Sequence, residues 1–150
     1  MIIYRLSTGK FANDISGEGS KIYGGRWNPK GLATLYASEN ISLCILEILV
    51  RATKKTSPDT YTLISLMIPD NGIFSIQDTK LKKSWKHDLE YTQWIGEDFL
   101  KETQALCMKV PSAIVSQENN FLLNPMHKDF NRVKIISIEA LELDKRLNQI

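Results

Sequence analysis

The eight glycines of this 150-residue chain are unevenly placed: Gly9, Gly17, Gly19, Gly24, Gly25 and Gly31 all fall within the first 31 residues. Three of them bracket an arginine in the run Gly24-Gly25-Arg26-Trp27-Asn28-Pro29-Lys30-Gly31. Glycine tolerates positive φ and lets a ligand approach the main chain. Free N–H groups there cradle an anion, and a neighbouring arginine offers a planar fork for phosphate. That chemistry suits a phosphorylated ligand. A plain glycine-rich turn carrying a surface arginine has the same composition, so the run alone does not decide. It is not the dinucleotide-binding fingerprint, because no helix is expected directly after it, and not the P-loop, because Gly-Lys-Ser/Thr is missing.

The second candidate is Glu47, set among Ile41, Leu43, Cys44, Ile45, Leu46, Ile48, Leu49 and Val50. A carboxylate in such a stretch must be partnered, exposed on a narrow stripe, or functional. Arg51, one helical turn on, is the simple structural partner. Tyr36 closes the strand that leads into this helix and would lie near Glu47, or serve as core. His87 and His127 are far apart with no further ligand at metal spacing, so no metal site is expected and both read as surface histidines. Cys44 and Cys107 lack the basic neighbours of a nucleophile and read as core. Lys80, Lys82, Lys83 and Lys86 around Trp85 are the strongest nucleic-acid feature, and a solvated face beside an aromatic anchor is the preferred explanation.

The elements that must position these residues can be read from pattern. Residues 2–6 form a short strand, and residues 9–31 follow as one long connection, a length that in so small a domain marks function. Residues 32–37 form a second strand, and Ser38 caps a helix over residues 39–52 that is apolar nearly all round and therefore buried. Residues 53–59 are a polar turn, and residues 61–68 a third strand that exits through Pro69-Asp70-Asn71-Gly72. A helix over residues 91–104 turns Trp94, Ile95, Phe99 and Leu100 inward despite Gly96. Residues 105–110 and 112–115 are strand pieces broken by Pro111. Residues 121–123 and 133–143 complete an α+β domain with a mixed, mainly antiparallel sheet and a few helices.

Composition bounds the function. One domain over residues 1–150 is expected at this length, and 43% hydrophobic with 24% charged residues is ordinary globular usage. A net charge of +2 is well short of the basic stripe of a dedicated nucleic-acid binder. No apolar run reaches membrane-spanning length, no signal peptide is evident, and two isolated cysteines form no disulfide framework. A soluble, cytoplasmic protein is the expectation.

Taken in order, several pieces resemble the RES domain family, the toxins of RES–Xre toxin–antitoxin pairs. They are Tyr4-Arg5, Gly17-x-Gly19, Gly24-Gly25-Arg26-Trp27-Asn28-x-x-Gly31, Tyr36-x-Ser38, Glu47, Val110-Pro111-Ser112 and Asn120-x-x-Leu123-Asn124-Pro125-x-His127. The resemblance runs from Arg5 to about Phe130. It implies a fold like that of ADP-ribosyltransferase toxins and attack on NAD⁺ at the nicotinamide–ribose bond, by hydrolysis, phosphorolysis or transfer of ADP-ribose to a protein. It also implies a catalytic set of Arg26, Tyr36, Glu47 and Ser112, with Ser116 the alternative serine. Arg5, Gly17, Gly19, Gly25, Arg26, Trp27, Asn28 and Tyr36 would bind NAD⁺. An Xre-like antitoxin and a homodimer are implied partners, with nucleic acid reached only through the antitoxin.

The chemistry agrees with those residue types. Breaking this bond releases a neutral pyridine from a pyridinium, so no general acid is required. A fixed carboxylate stabilises the positive charge that builds on the ribose. The rival from another class is a non-catalytic module that binds a nucleotide in the glycine loop or RNA through Lys80, Lys82, Lys83 and Lys86.

Overall fold

A computed structural model describes residues 1–52, 60–102 and 104–149. Alternation of apolar residues produces strands β1 (Ile2–Ser7), β2 (Leu35–Ser38), β3 (Thr60–Met67), β4 (Ile73–Ser75), β5 (Cys107–Pro111), β6 (Asn119–Leu123) and β7 (Lys134–Glu142). Three helices accompany them: α1 (Glu18–Tyr23), α2 (Ile41–Leu49) and α3 (Leu89–Glu102). The strands form one sheet in the order β4-β5-β6-β2-β1-β3-β7, parallel between β4 and β5 and antiparallel elsewhere. The mixed, mainly antiparallel expectation holds.

Two crossings matter for the site. β2 pairs with β6, so Tyr36 lies opposite Leu122 and Ser38 opposite Asn120. β1 meets β2 through Tyr4 and Ser38. Helix α2 leaves β2 and folds back over β1 and β2, burying Cys44 among Leu6, Tyr61 and Leu63. A separate cluster of Trp27, Trp85, Phe99, Met108, Val110 and Leu122 fills the space under α3.

Several expectations need correction. The glycine-rich connection carries a 3-10 turn at Gly9–Phe11 and helix α1, because an Asp14–Ser16 side-chain turn leads into Gly17, whose φ of 72° sets the helix start. The second strand begins only at Leu35, since the main chain of Leu32 is held back by Asn28. Asn40, not Ser38, caps α2, its side chain accepting the Leu43 N–H at 2.8 Å. Helix α2 is not buried all round: most of its side chains are only partly covered by the described residues, and Val50 just past its end stands 63% exposed. Trp94 points outward at 65% exposure, while Phe99 faces in as expected. Residues 112–115 form a turn rather than a strand, because the Ser112 hydroxyl takes up the N–H groups of Ile114 and Val115. The short strand β4 has no counterpart in the sequence reading, and the polar turn at residues 53–59 lies outside the described residues, as does residue 103 within the expected second helix.

Candidate active site

Asn28 organises the glycine loop from within. It is fully buried; its Nδ2 donates to the carbonyls of Ser20 at 2.8 Å and Leu32 at 2.9 Å, and its Oδ1 accepts the Tyr36 hydroxyl at 2.6 Å. That hydroxyl in turn accepts the Trp27 N–H at 3.0 Å. Burial pushes the Tyr36 phenol far above its usual range, so it stays neutral and serves as a hydrogen-bonding post. Gly25 is required by this post, since a Cβ there would stand 2.6 Å from the Tyr36 oxygen. Gly17 is required by packing, its added Cβ falling 2.8 Å from the Thr34 carbonyl oxygen. The loop thus hangs on the strand that feeds α2.

Glu47 projects from α2 into a cleft bounded by Arg5 on β1, Tyr36 and Ser38 on β2, and Asn120 on β6. The cleft holds a cavity of about 120 Å³. Glu47 is not a loose surface carboxylate: Ser112 Oγ donates to its Oε1 at 2.9 Å and Asn120 Nδ2 to the same oxygen at 2.5 Å. Asn120 is itself oriented by Ser38, whose hydroxyl donates to its Oδ1 at 2.7 Å. One carboxylate oxygen is thereby immobilised. The other, Oε2, faces Arg51 across 4.0 Å, and Arg51 lies over the Tyr36 ring at 5.9 Å. Arg51 is 58% exposed, so this contact contributes little to stability.

Arg5 also lines the cleft. Desolvation pulls its guanidinium below the usual arginine range, opposed by the charge of Asp14. Its Nε is buried and has no hydrogen-bond partner among the described residues. A cationic donor left unmade in a cavity is a costly feature that an anionic or carbonyl-bearing ligand would relieve. Cys44, on the same wall, has its thiol pushed up to about 11 by burial, so it is a neutral wall atom and not a nucleophile.

Arg26 is not among the residues that line the cleft, but its charge acts on Tyr36. Its Nη1 donates to the Lys86 carbonyl at 2.9 Å and its guanidinium lies 5.9 Å from the Trp85 ring centre. Trp27 is buried against Trp85 with ring centres 5.6 Å apart, a core contact. Arg5, Tyr36 and Glu47 therefore line one cleft, Ser112 holds Glu47 from behind, and Arg26 flanks them. Gly17, Gly19, Gly25, Trp27 and Asn28 do not line the cleft. Ser116 accepts from Lys86 Nζ and not from any cleft residue. Among the described residues, no group of three His, Cys, Asp or Glu side chains is placed to hold a metal. His127 is not a free surface histidine: Nδ1 accepts the Asp129 N–H and Nε2 meets the Gln104 carbonyl at 2.7 Å.

The model of the RES domain matches residues 2–144. The chain belongs to the RES domain family. Among its relatives, "Toxin Res" of Photorhabdus laumondii subsp. laumondii is 36% identical over 98% of this chain and 97% of its own length. "Toxin Res" of Yersinia enterocolitica is 36% identical over 87% of this chain and 88% of its own. The "Prs ADP-ribosylating toxin" of a Sphingobium strain is 31% identical over 91% and 88%. In fold, this RES domain is similar to a chain of the M. tuberculosis MbcT–MbcA toxin–antitoxin complex, with a TM-score of 0.77 over 99% of this chain and 86% of that one at 18% identity.

Two cleft residues of this RES domain were not singled out as site residues from sequence. Asn120 stood in sequence only as part of the pattern shared with the family, with no role attached, and nothing local says that β6 places it against Glu47 of α2. Arg51 was read as a simple helical partner, although the same spacing also puts it over Tyr36.

Proposed function

We propose that this RES domain is the toxin of a toxin–antitoxin pair and that it degrades NAD⁺ by cleaving the bond between nicotinamide and ribose. The observation that carries the reading is Glu47, a carboxylate with one oxygen fixed by two donors and the other facing the exposed Arg51 in a cleft lined by Tyr36. As the bond stretches, the ribose gains positive charge. A carboxylate that cannot swing away stabilises it without reorganising. Its second oxygen, Oε2, would face the ribose and hold a hydroxyl or the incoming nucleophile. Tyr36 and the apolar wall of Leu6, Ala37 and Ile48 would exclude water around the leaving pyridine. Arg26, Arg5 and Arg51 would together oppose the pyrophosphate charge, each as a charge-assisted donor. Gly25, by admitting the Tyr36 hydroxyl, would keep loop and cleft in register.

Water or phosphate is the acceptor in this reading. A second acceptor, a protein side chain, is favoured by one finding, the 31% identity to a relative named for ADP-ribosylation. The purified protein incubated with NAD⁺ labelled in its adenylate phosphate distinguishes them. Free ADP-ribose indicates hydrolysis, and its phosphorylated form indicates phosphorolysis. Label on a protein band of added lysate indicates transfer, and intact NAD⁺ in every arm would overturn the reading.

The partner proposed is an Xre-like antitoxin that covers the cleft, with a homodimer as the toxin's own assembly. The similar fold was solved as a toxin–antitoxin complex, which supports the first. No helix among the described residues is long and apolar enough to cross a membrane, and the cytoplasm is the proposed location.

A further inference from the structure

Lys86 belongs to the basic cluster around Trp85 that the site does not otherwise use. Lys82 ion-pairs with Asp88, while Lys80 and Lys83 are exposed. Lys86 differs: it is half-buried, and its ammonium donates to the hydroxyl of Ser116 and lies near the Trp85 ring. Its main chain is firmly placed. It lies in the 3-10 turn Trp85–His87, pinned by a buried Trp85 whose Nε1 donates to Asp78 Oδ1 at 2.8 Å.

The two ends of Lys86 reach the two sides of the site. Its carbonyl accepts Arg26 Nη1 at 2.9 Å. Its ammonium grips Ser116, which belongs to the turn that begins at Ser112. The bonds inside that turn are continuous: Ser112 N–H to Glu118 O at 2.9 Å, Glu118 N–H to Val115 O at 3.0 Å, and the N–H groups of Ile114 and Val115 to Ser112 Oγ at 3.1 and 3.2 Å. With two N–H groups filling its lone pairs, the Ser112 hydroxyl has one direction left for its proton, toward Glu47. The aim of that proton depends on the turn keeping its shape; β5–β6 pairing and the Asn119–Glu39 bonds hold its ends, and Lys86 ties its middle at Ser116.

Resting on the reading of Glu47 above, we infer that Lys86 is a positioning residue for the reaction. Its main chain fixes the arginine beside the cleft, and its side chain fixes the turn that orients the carboxylate through Ser112. Because the two ties use different atoms of one residue, changing the side chain leaves Arg26 in place and loosens only Glu47. A residue contacting substrate phosphate directly would behave otherwise, acting first on KM.

The experiment measures NAD⁺ loss by Lys86→Met, Ser116→Ala, the double variant and Lys86→Arg, together with amide exchange of Ile114 and Val115 on the protein alone. The expected result is a five- to tenfold fall in kcat with KM within twofold for Lys86→Met, and the same for Ser116→Ala. The double variant should lose no more, and Lys86→Arg should recover to within twofold. The Ile114 and Val115 amides should exchange faster in Lys86→Met and Ser116→Ala and not in Lys83→Met. A rise in KM alone, multiplying losses in the double variant, or unchanged amide exchange would overturn the inference. Ser116→Ala, a mild change at a half-buried turn position, keeps the comparison available if Lys86→Met does not fold. Wild-type protein that leaves NAD⁺ intact would overturn the proposed function instead, and the exchange measurement would still decide whether the tie exists.

Discussion

Ser112 and Glu47 stand 65 positions apart in the chain, yet the serine hydroxyl donates to the carboxylate at 2.9 Å from a turn whose own amide groups complete its hydrogen bonding. The serine is fully buried behind the cleft, and the carboxylate projects into it with a side chain 19% exposed. Between them lies the distinction between orienting a charge and presenting it.

Ser112→Ala tests that division. It removes the donor to Glu47 and leaves the N–H groups of Ile114 and Val115 without their acceptor, an expected cost of about 1–3 kcal/mol. NAD⁺ turnover should fall roughly tenfold, less than the loss from removing the carboxylate charge itself. Denaturant unfolding with turnover measured on the folded fraction checks both numbers. A turnover as low as that of a Glu47 variant would mean that the serine meets the substrate.

Gly96 supports the site from a distance. It lies in the middle of α3, where a Cβ would stand 1.5 Å from the Trp27 carbonyl oxygen, so the helix can approach the Arg26-Trp27 segment only without a side chain. Thr92 Oγ1 donates to the Arg26 carbonyl at 2.6 Å one turn earlier, and Gln93 Nε2 to the Gly25 carbonyl at 2.9 Å. Gly96→Ala should push α3 outward and cost at least about 3 kcal/mol, at the upper end for overpacking. A thermal melt should show a midpoint lower by about 10 °C, and an unchanged midpoint would contradict this packing.

The legible part of the molecule was the part written in local pattern. The β1 and β3 strands alternate, α2 follows its strand, and the spacing of Arg26, Tyr36 and Glu47 carried the family resemblance. Burial of α2 was misread because eight apolar residues in ten positions look the same whether a second layer covers the outer side or not. Trp94 was misplaced for a related reason, since the helical period allows it inward but Gly96, two residues on, is what meets Trp27. The glycines were legible as backbone requirements but not in their purpose. Gly17 and Gly25 admit Thr34 and the Tyr36 hydroxyl, contacts with the protein itself. Asn120 belongs to the family pattern, but its hold on Glu47 was not legible because it depends on β6 lying beside β2, a pairing some eighty residues apart that no local signal encodes.

The two cysteines make a pH-dependent prediction. Burial raises the Cys44 thiol from an ordinary 9.0 to about 11 and the Cys107 thiol to about 12. A raised value in the fold means that the folded protein keeps protons which the unfolded chain releases. Stability is therefore full below pH 9 and falls as pH climbs toward 11 and 12. The midpoint of unfolding should drop across that window, and a disulfide reagent should label neither thiol at pH 8 until the protein is unfolded. Rapid labelling of the folded protein at pH 8 would contradict the burial of both side chains.

Glu47→Gln bears most directly on the central claim. Glutamine keeps the shape and still accepts from Ser112 and Asn120 through its carbonyl oxygen, so only the charge facing the cleft is lost. With purified wild-type and variant proteins of equal melting temperature, the rate of nicotinamide release from NAD⁺ should fall by about 10²-fold or more in the variant. Release at the wild-type rate by Glu47→Gln would show that this carboxylate does not stabilise the transition state.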